Sequence, residues 1–268
     1  MNTIRKAYTD GPFGQVHYRT AGRPTDKPAL FCLHQSPKNS LEFLTFMGTA
    51  CQDRLVVAGD YPGYGMSDRP PSEQEATIPA YAQHMWKVAD ALSLEKVDLF
   101  GNHTGGKVAC EMAKQQLSRV RAIAMVSAAI LTDEERAQFS DYFTPIPLDK
   151  EGTRIMTNWR RIVERADPNW PLEAIDRSLL QTQMGGEAYE WGHHAAFSWG
   201  PPFEEALAEL PHRKIILNPA DDLQVCTRRA ETIMKNGEII ELPQWTYGFM
   251  DIHPRELRDL LLPKLDAA

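Results

Sequence analysis

The chain has 268 residues, 43% of them hydrophobic and 24% charged, a composition typical of folded globular proteins that argues against long disordered segments. Its formal net charge of -7 disfavours nucleic acids and anionic membranes as partners, because both bind basic surfaces. The length fits one large α/β domain with an insertion better than two independent domains.

The cysteines and the N-terminus bear on the compartment. The four cysteines are widely spaced and form no CxxC pair, which argues against a disulfide framework or a thiolate zinc site. Buried, reduced thiols are the expectation. The first ten residues contain no apolar signal core, and no apolar run is long enough to span a bilayer. We therefore expect a cytoplasmic protein.

Short apolar runs alternate with helical patterns through the first half of the chain. Turn residues at 11–14 predict a hairpin between two short strands. The pattern then predicts strands over 29–33, 54–58, 97–100 and 121–126, separated by helices over 41–50, 77–92 and 108–116. This alternation predicts an α/β protein with a mostly parallel, doubly wound sheet, which binds its ligand at the carboxyl ends of the strands.

The alternation stops between about residues 132 and 207. This stretch is rich in Trp, Phe and Pro and predicts helices and loops without sheet strands. The sheet pattern resumes with a strand over 214–217, a helix over 228–235, a strand over 238–242 and a helix over 254–265, with Pro254 in its first turn. The sequence thus predicts a core of residues 1–131 and 208–268 and a helical lid, or cap, over 132–207.

Four short motifs follow predicted strands. They are Leu33-His34-Gln35-Ser36-Pro37, the stretch GDYPGYGMSD at 59–68, Gly101-Asn102-His103-Thr104-Gly105, and Asn218-Pro219-Ala220-Asp221-Asp222. In this order they resemble the oxyanion loop, the D-x-x-G-x-G-x-S-D stretch, the nucleophile elbow and the acid turn of the α/β-hydrolase superfamily. The resemblance implies the α/β-hydrolase fold, with about eight strands and a lid. Fold alone does not fix function.

The elbow departs from the family pattern, because His103 stands where a serine, cysteine or aspartate is usual. Gly101 and Gly105 flank His103 at the required spacing. The tip of the elbow adopts positive φ, which histidine tolerates and the β-branched Thr104 does not. His103 is therefore predicted to be a nucleophile or a general base, since neutral imidazole is abundant near pH 7. The alternative is an inactive elbow with a hydrogen-bonded histidine.

The usual base is also displaced. The family's histidine precedes the proline of the last helix by several residues, and that position holds Tyr247, whereas the nearest histidine is His253. Either His253 reaches the site as the base, or Tyr247 replaces it as a hydrogen-bond donor. Asp222 matches the acid position, with Asp221 beside it. Asp222 would orient His253 or His103, or would merely cap the turn.

The resemblance also places the oxyanion hole and the substrate pocket. The amides of Ser36 and Thr104 are the oxyanion-hole candidates, and Gln35 replaces a glycine, so its side chain could enter the pocket. In the lid, Trp191, His194 and Trp199 are the candidates for an aromatic pocket lining. The pair His193-His194 makes a poor metal site, because adjacent helical residues face apart. No metal and no cofactor are expected.

The leading hypothesis is a cofactor-independent hydrolase that acts on a small carbonyl substrate: an ester, a lactone or a C–C bond next to a ketone. One alternative is a lyase-type carbonyl enzyme in which His103 transfers protons without a covalent intermediate. Another is a non-catalytic ligand-binding protein. Haloalkane dehalogenation is disfavoured, because it requires a carboxylate at the elbow. The expected partner is a small molecule rather than a nucleic acid or a membrane, and a homodimer stays open.

Overall fold

The computed structural model describes residues 3–268. Its centre is an eight-stranded sheet with the order β1-β2-β4-β3-β5-β6-β7-β8. The strands are β1 (Arg5–Gly11), β2 (Gly14–Ala21), β3 (Ala29–Leu33), β4 (Val56–Gly59), β5 (Val97–Asn102), β6 (Val120–Val126), β7 (Arg213–Pro219) and β8 (Gly237–Leu242). The first two pairings, β1 with β2 and β2 with β4, are antiparallel, and all the others are parallel. The predicted fold class is confirmed.

Eleven α-helices surround the sheet in residues 3–268. Those of the core are α1 (Leu44–Ala50), α2 (Ile78–Ala91), α3 (Thr104–Gln115), α9 (Gln224–Arg228), α10 (Phe249–Ile252) and α11 (Pro254–Asp266). Five more helices lie between β6 and β7 and are here called the helical insertion: α4 (Asp133–Tyr142), α5 (Thr153–Arg165), α6 (Leu172–Met184), α7 (Trp191–Ser198) and α8 (Gly200–Glu209). None of the helices in the described part of the chain has the length and apolarity needed to cross a bilayer.

Three predicted helices differ in the structure, and the first of them, predicted over 108–116, begins four residues earlier as α3 (Thr104–Gln115). The segment predicted as one helix over 41–50 is a 3-10 turn followed by α1. The helix predicted over 228–235 instead begins at Gln224, because Asp221 Oδ1 accepts a hydrogen bond from the Leu223 amide and turns the chain early. This α-helix, α9, already ends at Arg228 and is followed by a 3-10 turn over Arg229–Thr232. Asn236, with a φ of 52°, then leads directly into β8.

The two faces of the sheet carry separate cores. Along β3, Phe31 belongs to the cluster under α2 and α3, whereas Leu30 and Cys32 belong to the cluster under α1 and α11. Successive residues of a strand point to opposite faces, so a strand covered on both sides must be apolar throughout. This explains why the strands were recognisable as short continuous apolar runs. All four cysteine side chains are buried within these layers or beneath α4.

Glycines allow β3, β5 and α3 to meet closely at the elbow. A Cβ atom on Gly105 would lie 1.9 Å from the Leu33 carbonyl oxygen, and one on Gly101 would lie 2.2 Å from the Gly105 backbone. Both clashes involve main-chain atoms, which cannot move aside as a flexible side chain can. The glycine spacing in the sequence is therefore a packing requirement that fixes the position of His103 between β5 and α3.

Gly105→Ala should lower the free energy of unfolding by about 1–3 kcal/mol, as overpacking of a tight core does. Gly48→Ala is the matched control, since nothing lies within 4 Å of a Cβ at this helical position. That change should raise the free energy of unfolding by about 0.5–1 kcal/mol. Urea unfolding of both variants measures the difference. A Gly105→Ala protein as stable as the wild type would contradict the packing described here.

Candidate active site

His103 occupies the turn between β5 and α3 in a strained conformation. Its φ is 46° and its ψ is -107°, a region that non-glycine residues rarely adopt. The turn is held on both sides: the His103 amide donates to the Val126 carbonyl at 3.0 Å, and the Gly106 amide donates to the His103 carbonyl at 2.9 Å. The geometry directs the imidazole into a cavity at the carboxyl edge of the sheet.

Asp221 holds the imidazole through its distal nitrogen. His103 Nε2 lies 2.9 Å from Asp221 Oδ2. Ser127 Oγ donates to the same oxygen at 2.5 Å, and the Leu223 amide donates to Oδ1 at 2.8 Å. Burial alone would raise the pKa of Asp221, but the hydrogen bond and charge of His103, with the other two donors, lower it. Asp221 is thus an ionised acceptor.

The prediction that Asp222 orients His103 is wrong, because Asp221 makes the hydrogen bond to the imidazole. The turn after β7 directs Asp221 toward His103 and Ser127, whereas Asp222 faces the helical insertion. Asp222 Oδ1 accepts a hydrogen bond from the Tyr247 hydroxyl at 2.5 Å, and Oδ2 lies 3.2 Å from Arg165 Nη1. The two adjacent carboxylates therefore have separate partners.

The protonation of His103 follows from its contact with Asp221. Burial disfavours the imidazolium, but the hydrogen bond and the negative charge of Asp221 outweigh burial, and the pKa of His103 is raised. An ionised carboxylate can only accept a hydrogen bond, so Nε2 carries a proton in the neutral ring as well. The nitrogen that gains and loses a proton is consequently Nδ1.

Tyr247 and His253 lie in different places. Tyr247 lines the cavity, and its ring centroid is 5.9 Å from that of His103 in an edge-to-face arrangement. His253 is not among the lining residues: its ring stacks on Trp245 at 5.7 Å, and its Nδ1 lies 3.7 Å from Glu256. The prediction that His253 reaches the site is therefore wrong. The short helix α10 places His253 at the start of α11, away from the cavity.

The two oxyanion-hole candidates both line the cavity. The Ser36 amide donates a long, 3.4 Å hydrogen bond to Thr104 Oγ1. Thr104 is the first residue of α3, where amides have no partner within the helix. Gln35 also lines the cavity, but its side-chain nitrogen donates to Glu42 at 2.6 Å. Ser36 and Thr104 are therefore neighbours at the cavity, and an oxyanion would take the Ser36 amide from its long contact with Thr104 Oγ1, whereas the shorter bond from the Gln35 amide to Glu42 is retained.

Glu42 connects the oxyanion loop to the elbow, and the sequence did not single it out. Besides the Gln35 side chain, its carboxylate accepts hydrogen bonds from the Gln35 amide at 3.1 Å and from Asn102 Nδ2 at 3.0 Å. Burial raises the pKa of Glu42. Because the Gln35 amide is bound to Glu42, it cannot serve as an oxyanion donor. An acidic residue at the start of a largely apolar helix was the available sequence signal.

The cavity measures about 200 Å³ and has an aromatic wall from the helical insertion. This wall contains Phe139, Phe143, His193, Phe197 and Phe203. Rings of this group stack, as between Phe143 and His193 at 3.8 Å. The volume is below the range of roughly 300–1,000 Å³ typical of drug-sized ligands, so the cavity suits a small molecule.

The three pocket residues predicted in the insertion do not line the cavity. Trp199 is buried against Phe203, Trp191 packs against the main core, and His194 Nδ1 lies 2.6 Å from Glu73 Oε1 near the surface. The reason is the helical period of α7, which turns His193 and Phe197 inward and their neighbours away. In the described part of the chain, no group of three or more His, Cys, Asp or Glu side chains could hold a metal ion.

Comparison with known proteins agrees with the fold. Residues 28–159 match the sequence model of a protein family whose description is "alpha/beta hydrolase fold". A 3-hydroxybutyrate-oligomer hydrolase of Cupriavidus necator is 24% identical over 73% of this chain and 68% of the relative. A 2-hydroxymuconate semialdehyde hydrolase of Pseudomonas sp. strain CF600 is 24% identical over 66% of this chain and 62% of the relative.

A solved structure, the epoxide hydrolase VrEH1 of Vigna radiata, has a TM-score of 0.80 at 13% identity and covers 99% of this chain and 98% of that one. At this identity the likeness concerns the fold. The chain has the α/β-hydrolase fold, as its motifs implied. Fold and relatives together indicate a hydrolase.

Asp221→Asn should lower the pKa of His103, because burial then acts on the imidazolium without the opposing carboxylate charge. Asp222→Asn should lower it less, since Asp222 influences His103 only through space. NMR titration of the His103 ring protons in the wild type and both variants measures these shifts. Equal shifts in the two variants, or an unchanged pKa in Asp221→Asn, would contradict the assigned pairing.

Proposed function

We propose that this protein is a cofactor-independent hydrolase of a small carbonyl substrate, an ester, a lactone or a C–C bond next to a ketone, with His103 as the general base. The observation that carries the proposal is the His103–Asp221 hydrogen bond at the cavity floor. The names of the two relatives, hydrolases of hydroxybutyrate oligomers and of a semialdehyde, support a carbonyl substrate.

The geometry favours His103 as a base over His103 as a nucleophile. Asp221 engages Nε2, the ring nitrogen farther from the backbone. The remaining nitrogen, Nδ1, is bonded to the ring carbon that bears Cβ and is therefore the nitrogen nearer the backbone. An acyl group needs more space at that position than a proton does. His103 is therefore suited to activate water.

The proposed reaction has two steps. His103 Nδ1 removes a proton from water as the water oxygen attacks the carbonyl carbon, and Asp221 stabilises the resulting imidazolium. The amides of Ser36 and Thr104 donate hydrogen bonds to the tetrahedral oxyanion. When the intermediate collapses, the imidazolium returns the proton to the leaving group, which restores neutral His103. Protons and charges balance without a covalent enzyme intermediate.

Tyr247 takes part in this scheme as a hydrogen-bond donor. Burial and the neighbouring carboxylates of Asp222 and Asp221 raise the pKa of Tyr247 far above that of an exposed tyrosine. The phenol is therefore protonated throughout the neutral range. Its hydroxyl donates to Asp222 and its ring packs edge-on against His103. Tyr247 would fix the imidazole plane and close the position that a second histidine occupies in the family pattern.

His103→Ala and Asp221→Asn should each reduce kcat/KM on a responsive ester or lactone, by about 10²–10⁴-fold. Asp222→Asn is the matched control, a neighbouring carboxylate whose loss should cost less, because it does not bind the imidazole. Steady-state kinetics over a panel of esters, lactones and β-diketones measures the effect, with circular dichroism to verify folding.

The outcomes of that panel separate the alternative functions. If no member is hydrolysed although a ligand binds the wild type and His103→Ala equally, the protein is a ligand-binding member of the fold and the proposal is wrong. If a β-hydroxy or β-keto substrate is cleaved without consumption of water, the protein is a lyase and the hydrolase proposal is wrong.

The activity should rise with pH, because only neutral His103 can accept a proton. Since the pKa of His103 is raised above its ordinary value of 6.5, the rise of kcat/KM should be centred above that pH. In Asp221→Asn the residual activity should rise at lower pH. A profile that falls through this range would contradict the base role.

The absence of an acyl-enzyme provides an independent test. Rapid acid quenching during turnover, followed by mass spectrometry of the peptide that contains His103, should show no substrate-derived adduct. An adduct that forms and decays at the rate of turnover would replace the base mechanism with a nucleophilic one.

A further inference from the structure

Helix α5 turns its polar face inward. Asn158, Arg161 and Arg165 line the cavity together with one apolar residue, Ile162, whereas the outward residues Ile155, Met156 and Val163 are 43%, 47% and 44% exposed. A helix on the surface of a globular protein normally directs its apolar stripe toward the interior. This orientation places hydrogen-bond donors and positive charge on the wall of the cavity, where a ligand can use them.

Asn158 is the clearest unpaired donor of this wall. Its side chain is buried, with 5% of the residue exposed, and its Nδ2 has no hydrogen-bond partner among residues 3–268. Buried polar groups in folded proteins nearly always have a partner, and the exceptions demand an explanation. An acceptor on a bound ligand would supply the missing hydrogen bond.

Lys38 adds a positive charge to the same cavity. Its ammonium donates to the Ser178 carbonyl at 2.8 Å and to Thr182 Oγ1 at 3.0 Å, both on α6. No carboxylate in the described part of the chain lies within 4.0 Å of it. Burial lowers the pKa of Lys38 to about 8. Glu42 and Glu190 act on this cation only through space, and since a desolvated charge without a direct partner is costly, its third N–H is available for a ligand.

Arg161 is weakly paired. One guanidinium nitrogen donates to the Tyr142 carbonyl at 2.8 Å, and its only carboxylate contact in residues 3–268 is Glu190, at 4.0 Å. Glu190 is itself engaged by His193 Nδ1 at 2.5 Å. Since α5 packs on α6, Arg161 and Asn158 share the insertion side of the cavity with the helix that holds Lys38. The aromatic wall lines the same cavity, and its His193 shares Glu190 with Arg161.

We propose that Lys38, Asn158 and Arg161 form a subsite for a carboxylate group of the substrate, whose apolar part lies against the aromatic wall. The carbonyl to be attacked then lies beside His103, which lines the same cavity. That the bound compound is hydrolysed rests on the proposed function, whereas the binding of a carboxylate at this subsite does not. It narrows the substrate class to small carbonyl compounds that carry both a carboxylate and an apolar, preferably aromatic, group.

Binding of simple aryl carboxylates tests the subsite without catalysis. Phenylacetate, phenylpropionate and phenylbutyrate are each compared with their primary amide by calorimetric titration of His103→Ala and of the wild type, at one near-neutral pH and low salt. At least one carboxylate should bind about tenfold more tightly than its amide, as expected of charge-assisted hydrogen bonds. Equal affinities, or failure of every carboxylate to bind, would overturn the proposal.

Variants assign the preference to the named residues. Lys38→Met should bring the carboxylate and amide affinities close together, and Asn158→Leu, which keeps the side-chain shape, should reduce the preference several-fold. Arg160→Gln is the control, because it removes a positive charge from the exposed side of the same helix. Thermal unfolding verifies that each variant is folded. A preference that survives Lys38→Met and Asn158→Leu, or disappears in Arg160→Gln, contradicts the assignment.

The two proposals fail separately. If the wild type prefers carboxylates but hydrolyses no carbonyl compound in the panel, the subsite stands and the hydrolase function does not. If the wild type hydrolyses neutral esters as well as their carboxylate-bearing analogues and shows no binding preference, the reverse holds.

Discussion

The hydrogen bond between His103 and Asp221 connects three neighbouring strands at the edge where ligands bind in this class of fold. His103 follows β5, Ser127 follows β6 and Asp221 follows β7, and all three meet at one carboxylate oxygen. This convergence depends on parallel pairing, which brings the ends of β5, β6 and β7 to the same level. The strained turn at His103 persists because glycines allow β3, β5 and α3 to hold it there.

The substitutions at the elbow and in the last loop form one consistent arrangement. With a histidine at the elbow, a second histidine above it would place two imidazoles side by side and would compete for one acid. Tyr247 fills that space with a neutral group instead. The two adjacent carboxylates have different partners: Asp221 binds the imidazole of His103, while Asp222 binds the Tyr247 hydroxyl and Arg165. Each negative charge thereby has a charged or hydrogen-bonding partner inside the cavity.

The sequence was sufficient for the fold and for the place of His103. Buried parallel strands are short apolar runs, and the glycines at 101 and 105 are required by contacts with main-chain atoms. It was not sufficient to choose between Asp221 and Asp222, because rotation of a turn by one residue exchanges their directions. The hydrogen bond from the Leu223 amide to Asp221 decides that rotation, and only the folded turn reveals it.

The helical insertion was the least predictable part of the site, since its helices contact the cavity through faces that composition does not disclose. Aromatic content suggested Trp191 and Trp199, yet both pack against the core, and α7 presents His193 and Phe197 to the cavity. On α5 most of the residues that line the cavity are polar and several apolar residues are exposed, so an amphipathic pattern read from sequence would place Asn158 and Arg161 in solvent.

Such an arrangement weakens the fold, because apolar surface remains exposed and polar groups are buried without full pairing. A bound carboxylate would neutralise the buried charge and complete the unpaired hydrogen bonds, so the insertion would be stabilised by its ligand. The exposed apolar residues and unpaired polar groups of α5 are unfavourable for folding alone, and a bound substrate would explain why they are present.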